Sequence, residues 1–400
     1  MKVLLVWFEI PRRSELIEPF VKIAQSKGVE FIHLIHNTEK EREEVISPFK
    51  MIYWFDYYTP DGLLNHIKPD KIVSEFPLDL KGIALRIAAA KKKIPFIGMT
   101  HGIIFANSSD MNLCNENRVS SLNKYNKYFK IAFFYLSVIP LFNLRKAGWL
   151  LTYFFIFITK GYYTAARTVK FSERNPDLYL VFQKKNATKF YQNLSNIQEE
   201  KLIPIGVPMF DDIFNCFNEK QVINASRYYL MIDTAWIYQT TLPSEILINN
   251  TYIKLAEYCK RNNAKLRVKL HPHWYDKDNL PQHPEIEYYR NLPQHNLNTL
   301  MKDAVGCFLY FSSLSVPLIV HKPCYLLGYR AFDNDEIALW EKNQLIKTLD
   351  IENFSPEDIN FDNFAEPDPT VINKFVSEYL FSTDGKSVER LGEIIMTRLL

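Results

Sequence analysis

At 400 residues the chain is too long for one ordinary hydrophobic core and predicts two domains of roughly 150 to 200 residues each. Hydrophobic residues at 47% and charged residues at 23% exclude a disordered chain, which lacks the apolar surface to offset its ordering entropy. Lys+Arg at 48 against Asp+Glu at 45 excludes the phosphate-neutralising surface that nucleic-acid binding needs, so no nucleic-acid partner is expected.

The opening MKVLLVWFEIPRRSE carries only a short apolar run before Pro11, Arg12 and Arg13, which reads as a first strand and not as a secretion signal. SELIEPFVKIAQSKG follows as an amphipathic helix with Gly28 placed to end it. VEFIHLI, KMIYWFD, DKIVSEF and IPFIGMT are four further runs of strand length. LDLKGIALRIAAAKKK is a helix with its basic end at the C-terminus, where the helix dipole favours cations. This alternation predicts βαβ units and a parallel sheet.

The rhythm breaks at residues 107 to 170. Residues 128 to 160 hold two aromatic-rich apolar runs split by Pro140, Asn143, Arg145 and Lys146. Neither reaches the roughly 20 apolar residues that span a bilayer. Two readings stay open: a membrane-interface segment with its bases against anionic lipid, or a buried helical pair covering the first domain. DLYLVFQKKNATKFYQNL and KLIPIG then resume the first series.

RYYLMID, a helix from about 243 to 263, KLRVKL, EIEYY, a helix near 297 to 304, GCFLYF, PLIVHK and CYLLGY form a second series. VINKFVSEYL and SVERLGEIIMTRLL close the chain as helices. The fold expected is α/β, two Rossmann-like domains facing a cleft: an N-terminal domain over residues 1–210 with the apolar insertion at about 107–170, a C-terminal domain over 225–378, and a closing helix over 379–400. In such folds ligands bind outside the carboxyl ends of the strands, so strand-end residues are the functional candidates.

In the first domain these are Glu75, able to act as general base to an acceptor hydroxyl or merely solvated in its loop, and His101 in the turn Thr100-His101-Gly102. In the second domain Lys269 and His271 end the strand KLRVKL, and Pro272 fixes the turn that aims the imidazole. Ser312 and Ser313 follow GCFLYF and precede a helix, where hydroxyls and free N–H groups suit an anion or simply cap the helix. His271 and His273 lack a third ligand at suitable spacing, and Asp333 and Asp335 resemble a metal-binding carboxylate pair but follow Gly328 in a loop of the second domain, so no metal site is expected. Five cysteines (Cys114, Cys216, Cys259, Cys307 and Cys324) stand singly, which fits reduced thiols in a cytoplasmic protein.

Taken together, the THG turn at 100–102, LIPIGVPMFD at 202–211, KLHP at 269–272, FSSLSVPL at 311–318, KPCYLLG at 322–328 and STDGKSVERLGEII at 382–395 resemble the CDP-glycerol glycerophosphotransferase family. They also resemble its relatives among capsule, Kdo and sialic-acid transferases of the glycosyltransferase-B fold. The chain departs from that pattern at Met209 and Phe210, where the family commonly shows an arginine, and at Thr234 and Ala235. The resemblance therefore speaks to fold and phosphate-facing roles more than to glycerol phosphate as the transferred group.

What the resemblance implies is a metal-independent transfer of a sugar or polyol-phosphate from a nucleotide-activated donor to a cell-envelope or capsule glycan or lipid-linked acceptor, without a cofactor. The resemblance implicates His101 and His271 in transfer; from the strand-end reading Glu75 or His101 would assist the acceptor hydroxyl, and Lys269, Ser312, Ser313 and Gly206 are the donor-binding candidates. The protein would work in the cytoplasm or on the inner face of the membrane. The alternatives are a UDP-N-acetylglucosamine 2-epimerase-like enzyme, which would need more first-domain carboxylates than Glu75, and a non-catalytic nucleotide-binding scaffold of envelope assembly.

Overall fold

The computed structural model describes residues 1–6, 17–35, 47–75, 77–100, 123–219, 227–234, 244–271, 279–290, 292–310, 312–328 and 335–397. The chain divides into two compact units. The first holds the described residues of Met1–Phe105, Glu116–Met209 and Lys386–Leu400, and the second those of Phe210–Gly385.

The first unit is built on seven parallel strands: β1 (Lys2–Val6), β2 (Glu30–Ile35), β3 (Lys50–Tyr53), β4 (Lys71–Ser74), β5 (Phe96–Met99), β6 (Leu178–Val181) and β7 (Leu202–Pro204). Their order is β3-β2-β1-β4-β5-β6-β7, with every neighbouring pair parallel. Helices cover both faces of such a sheet, so its strands read as continuous apolar runs, as in KVLLV, where Val3 to Val6 are all buried.

The helices of this unit start where the sequence supplies caps. Thr59 accepts from Gly62 N at 3.1 Å to open α2 (Pro60–Ile67), and Asp79 accepts from Gly82 N to open α3 (Leu80–Lys91). Gly28, at φ 64°, ends α1 (Glu18–Lys27), as its position in the sequence predicts.

Between β5 and β6 lie α4 (Asn123–Leu136), α5 (Leu144–Lys160) and α6 (Tyr162–Thr168). Phe134, Tyr135, Leu150 and Tyr153 from this stretch are in the core, and the Tyr153 hydroxyl donates to the Leu78 carbonyl at 2.6 Å. Arg174 is buried beneath them, donating to the carbonyls of Ala166 and Leu194 at 2.8 and 2.9 Å, with its guanidinium 5.6 Å from the Tyr153 ring centre. After β6 come α7 (Lys185–Ser195) and β7.

The second unit opens with α8 (Asp211–Asn218) and carries six parallel strands: β8 (Tyr228–Ile232), β9 (Lys265–Lys269), β10 (Ile286–Tyr289), β11 (Cys307–Leu309), β12 (Cys324–Gly328) and β13 (Lys347–Asp350). Their order is β10-β9-β8-β11-β12-β13. This is the strand order of a dinucleotide-binding Rossmann sheet, with its reversal between β8 and β11. The connecting helices are α9 (Glu245–Arg261), α10 (Gln294–Asp303), α11 (Ser315–His321), α12 (Asp335–Lys342) and α13 (Pro369–Tyr379).

The last helix, α14 (Ser387–Met396), belongs to the first unit and packs on α1. Its C-terminal carbonyls, at Ile394, Ile395 and Thr397, accept from the ammonium of Lys71 at the start of β4. The two Rossmann-like α/β domains that the sequence predicts are thus both present.

Candidate functional site

The reversal of strand order in each sheet falls between the strand that starts the domain and the one that starts its second half. In the first unit that gap lies between β1 and β4. Val6 and Ser74 are the last paired residues, and Glu75 follows, its N–H donating to the Val6 carbonyl at 3.2 Å and its side chain buried. Glu75 therefore sits at the carboxyl end of a strand flanking the reversal, as the sequence predicts, but inside the protein and not in a solvated loop.

One strand further, the N–H and hydroxyl of Thr100 both donate to the Leu180 carbonyl, at 2.9 and 3.0 Å. This ties the chain to β6 where it leaves β5. His101 and Gly102 lie outside the described residues, as do Pro272, His273 and Asp333.

In the second unit the strands flanking the reversal are β8 and β11. Asp233 ends β8 with only 4% of its surface exposed, and its N–H donates to the Lys269 carbonyl at the end of β9 at 3.0 Å. Tyr252, Tyr288 and Tyr310 surround its carboxylate electrostatically. Burial raises the hydroxyls of Tyr252 and Tyr310 well above the usual phenol range, and the charge of Asp233 raises them further. Tyr288 is raised by the same two causes in the same order.

Lys269 is buried, its ammonium donating to the Leu270 carbonyl at 2.8 Å. Leu270 is held in turn by the Tyr289 carbonyl at 3.0 Å, and half-buried His271 comes next. After β11, the hydroxyl of Ser312 lies 3.3 Å from that of Ser315, which donates to the Tyr310 carbonyl at 2.6 Å. The Ser313 carbonyl accepts from Val316 N at 3.3 Å as α11 begins.

Three adjacent strand ends, β9, β8 and β11, thus carry Lys269 to His271, Asp233, and Tyr310 with Ser312 and Ser313. Asp233 was not singled out in the sequence, where it is one of 45 acidic residues. The signal that could have found it is its place at the end of RYYLMID, the strand that starts the second series.

Gly206 has a packing reason to be glycine. Its φ is +83°, and a Cβ there would lie 2.4 Å from Ser387 Oγ and 3.1 Å from Arg390 Nη2, both on α14. Arg390 Nε donates to the Ile205 carbonyl at 2.8 Å, which locks this turn onto the helix. Among the described residues, no group of three or more His, Cys, Asp or Glu side chains could hold a metal ion, and Asp335 is the first residue of α12.

No protein-family model matches the sequence, and no curated protein does. Solved structures do match in fold. The UDP-GlcNAc 2-epimerase from Neisseria meningitidis bound to UDP-GlcNAc is 14% identical, with a TM-score of 0.54 over 100% of this chain and 100% of that chain. The wall teichoic acid polymerase TagF is 11% identical, with a TM-score of 0.54 over 99% of this chain and 88% of that one. The glycotransferase of kitacinnamycin is 12% identical, with a TM-score of 0.51 over 98% of this chain and 97% of that one. At these identities the likeness establishes the shared two-domain α/β fold.

Proposed function

We propose that this protein is a transferase that moves a sugar or polyol-phosphate from a nucleotide-activated donor to a glycan or lipid-linked acceptor of the cell envelope or capsule. The observation that carries the reading is the row of strand ends in the second unit, where Asp233 on β8 and Tyr310, Ser312 and Ser313 after β11 flank the reversal of a Rossmann-order sheet and Lys269 to His271 stand on the next strand, β9. That is where such sheets hold the phosphates of a nucleotide. The three fold neighbours support it, since a UDP-sugar epimerase, a teichoic acid polymerase and a glycotransferase are named for chemistry on activated sugars or envelope polymers.

In the transfer, the acceptor oxygen forms a bond to the sugar carbon or phosphorus while the bond to the nucleotide phosphate breaks. Lys269 and His271 would meet the charge gathering on the departing phosphate from the end of β9, and the hydroxyls of Ser312 and Ser313 from the end of β11. Asp233 is read as a positioning residue for the Lys269–His271 corner. Glu75 or His101 would take the acceptor proton. The charge is met by protein groups, so the reading assigns no cofactor and no metal.

A second reading, a UDP-N-acetylglucosamine 2-epimerase-like enzyme, is favoured by the full mutual coverage with the N. meningitidis epimerase structure. Incubation with radiolabelled nucleotide donors separates the readings. Label passing to an acceptor supports transfer, a rearranged free donor supports epimerisation, and binding with neither outcome indicates a scaffold.

A further inference from the structure

From Asn117 to Ser172 the sequence carries nine lysines and arginines and no aspartate or glutamate, while the whole chain has a formal net charge of only +3. The excess of positive over negative charge therefore comes from this one stretch, and the rest of the chain is net negative. The described part of the stretch is α4, α5 and α6 on the first unit.

Helix α5 is apolar on two faces. Leu150 and Tyr153 are buried, with Phe154 and Phe157 packed against the same core. Leu144, Leu151, Phe155 and Ile158 are spaced by seven, four and three residues, which places them along one other stripe of the helix. All four are exposed, Leu144 to 93% and Phe155 to 62%. On α4, Phe129 and Phe133 are four residues apart and exposed, whereas Phe134 is 1% exposed. Exposed Tyr58 meets Phe133 edge-on at 6.3 Å.

Bases flank these side chains. The ammonium of Lys130 lies 3.9 Å from the Phe55 ring centre and 5.0 Å from that of Tyr58, and the Arg145 guanidinium lies 5.3 Å from the Trp149 ring centre. Lys160 is exposed at the end of α5, and Arg167 is exposed on α6. A helix apolar on both faces is ordinarily buried on both, so the outer stripe calls for an apolar partner.

We propose that the outer faces of α4 and α5 dock the first unit on an anionic lipid bilayer, with Phe129, Phe133, Leu144, Leu151, Phe155 and Ile158 entering the boundary between headgroups and acyl chains. Charge selects this occupant over a second copy of the chain. A two-fold interface would set one positive stretch against another, whereas anionic headgroups neutralise it. The helices lie on the bilayer and do not cross it: α5 has 17 residues, and no helix among the described residues is long and apolar enough to span. The two sequence readings of residues 128 to 160 are thereby assigned to different faces, a buried inner one and a membrane-facing outer one. This docking does not depend on the donor chemistry proposed above.

The test is flotation of the full-length protein with phosphatidylcholine vesicles that contain or lack phosphatidylglycerol, read beside melting temperature and solution mass. Wild type is expected to float with the anionic vesicles and to be released by salt, since each base near the surface contributes roughly fivefold to partitioning. The double variant Phe133→Ser, Phe155→Ser and, separately, Arg145→Glu with Lys160→Glu should each lower partitioning by about tenfold or more at an unchanged melting temperature. Failure of wild type to float overturns the proposal, as does equal, salt-insensitive flotation with neutral vesicles. A wild-type dimer that becomes monomeric in the Phe133→Ser, Phe155→Ser variant, with no vesicle binding, overturns it in favour of self-association.

Discussion

The backbone N–H of Asp233 donates to the carbonyl of Lys269 at 3.0 Å, which couples the first strand of the second unit to the corner that carries His271. The carboxylate on that strand end is enclosed with Tyr252, Tyr288 and Tyr310 and away from bulk water. In such a low-dielectric setting the effect of a charge on its neighbours is stronger than in water.

Asp233→Asn keeps the shape and an acceptor oxygen but removes the charge. We expect kcat to fall by about 10²-fold with little change in the donor KM, while the melting temperature moves by only a few degrees. A purely structural aspartate would show the opposite pattern, a lowered melting temperature with kcat preserved in the surviving folded fraction.

Lys71 at the start of β4 donates to the carbonyls of Ile394, Ile395 and Thr397, the groups that α14 cannot satisfy within its own last turn. Lys71→Met keeps the stem and removes the donors, and should cost about 2 to 3 kcal/mol by urea titration. Hydrogen exchange should rise first in α14. A midpoint equal to wild type would mean that the helix is held by apolar packing on α1 alone.

Gly206→Ala tests whether this position serves packing or donor approach. At φ +83°, with Ser387 Oγ only 2.4 Å from the added Cβ, the substitution should cost about 2 kcal/mol or more. Donor affinity in the remaining folded protein should be unchanged. Preserved stability with lost donor affinity would return Gly206 to the binding role that the sequence predicts.

The fold was legible because parallel strands covered on both faces are continuous apolar runs, and β1, β2, β8 and β12 each appear as one. The edge strand β13, Lys347–Asp350, escaped notice because only Leu349 of its four residues is buried, leaving no run to see. The return of α14 to the first unit could not be read either. It depends on Lys71 meeting carbonyls more than 320 residues downstream, a pairing with no local signal.

For the candidate site, Glu75, Lys269, His271 and the serines stand at strand ends, where the apolar runs of the sequence place them. Asp233 was missed because a single acid after an apolar run is ordinary until the strand order is known. The two faces of α5 were also beyond the sequence, since Phe154 and Phe155 are chemically alike and only the packing of Tyr153 against Leu78 decides which of them turns outward.

His33 makes stability depend on pH. Its imidazole is buried, with Nδ1 3.1 Å from Ser47 Oγ, and burial pulls its pKa down to about 4. An unfolded chain takes up this proton near pH 6.5 whereas the folded chain resists it, so the stability is whole above about 6.5 and is lost as pH falls toward about 4. His321, stacked on Phe217 at 4.4 Å and likewise lowered to about 4 by burial and then by Lys322, acts in the same direction. Melting temperatures measured across this window should fall for wild type and fall less steeply for His33→Gln. Identical slopes for the two proteins would remove His33 from the account.

The central claim, that the second unit holds a nucleotide-linked donor and uses His271 on its departing phosphate, is tested most directly by one paired measurement. Wild type and His271→Ala are screened by thermal shift against CMP-, CDP-, UDP- and GDP-linked donors, and the stabilising donor is then used to assay transfer with and without chelator. The account predicts that donors of one base class raise the melting temperature of both proteins. It also predicts that His271→Ala loses about 10²- to 10³-fold in rate with its fold intact, and that chelator changes neither result. No stabilisation by any donor, or transfer by His271→Ala within a few-fold of wild type, would contradict it.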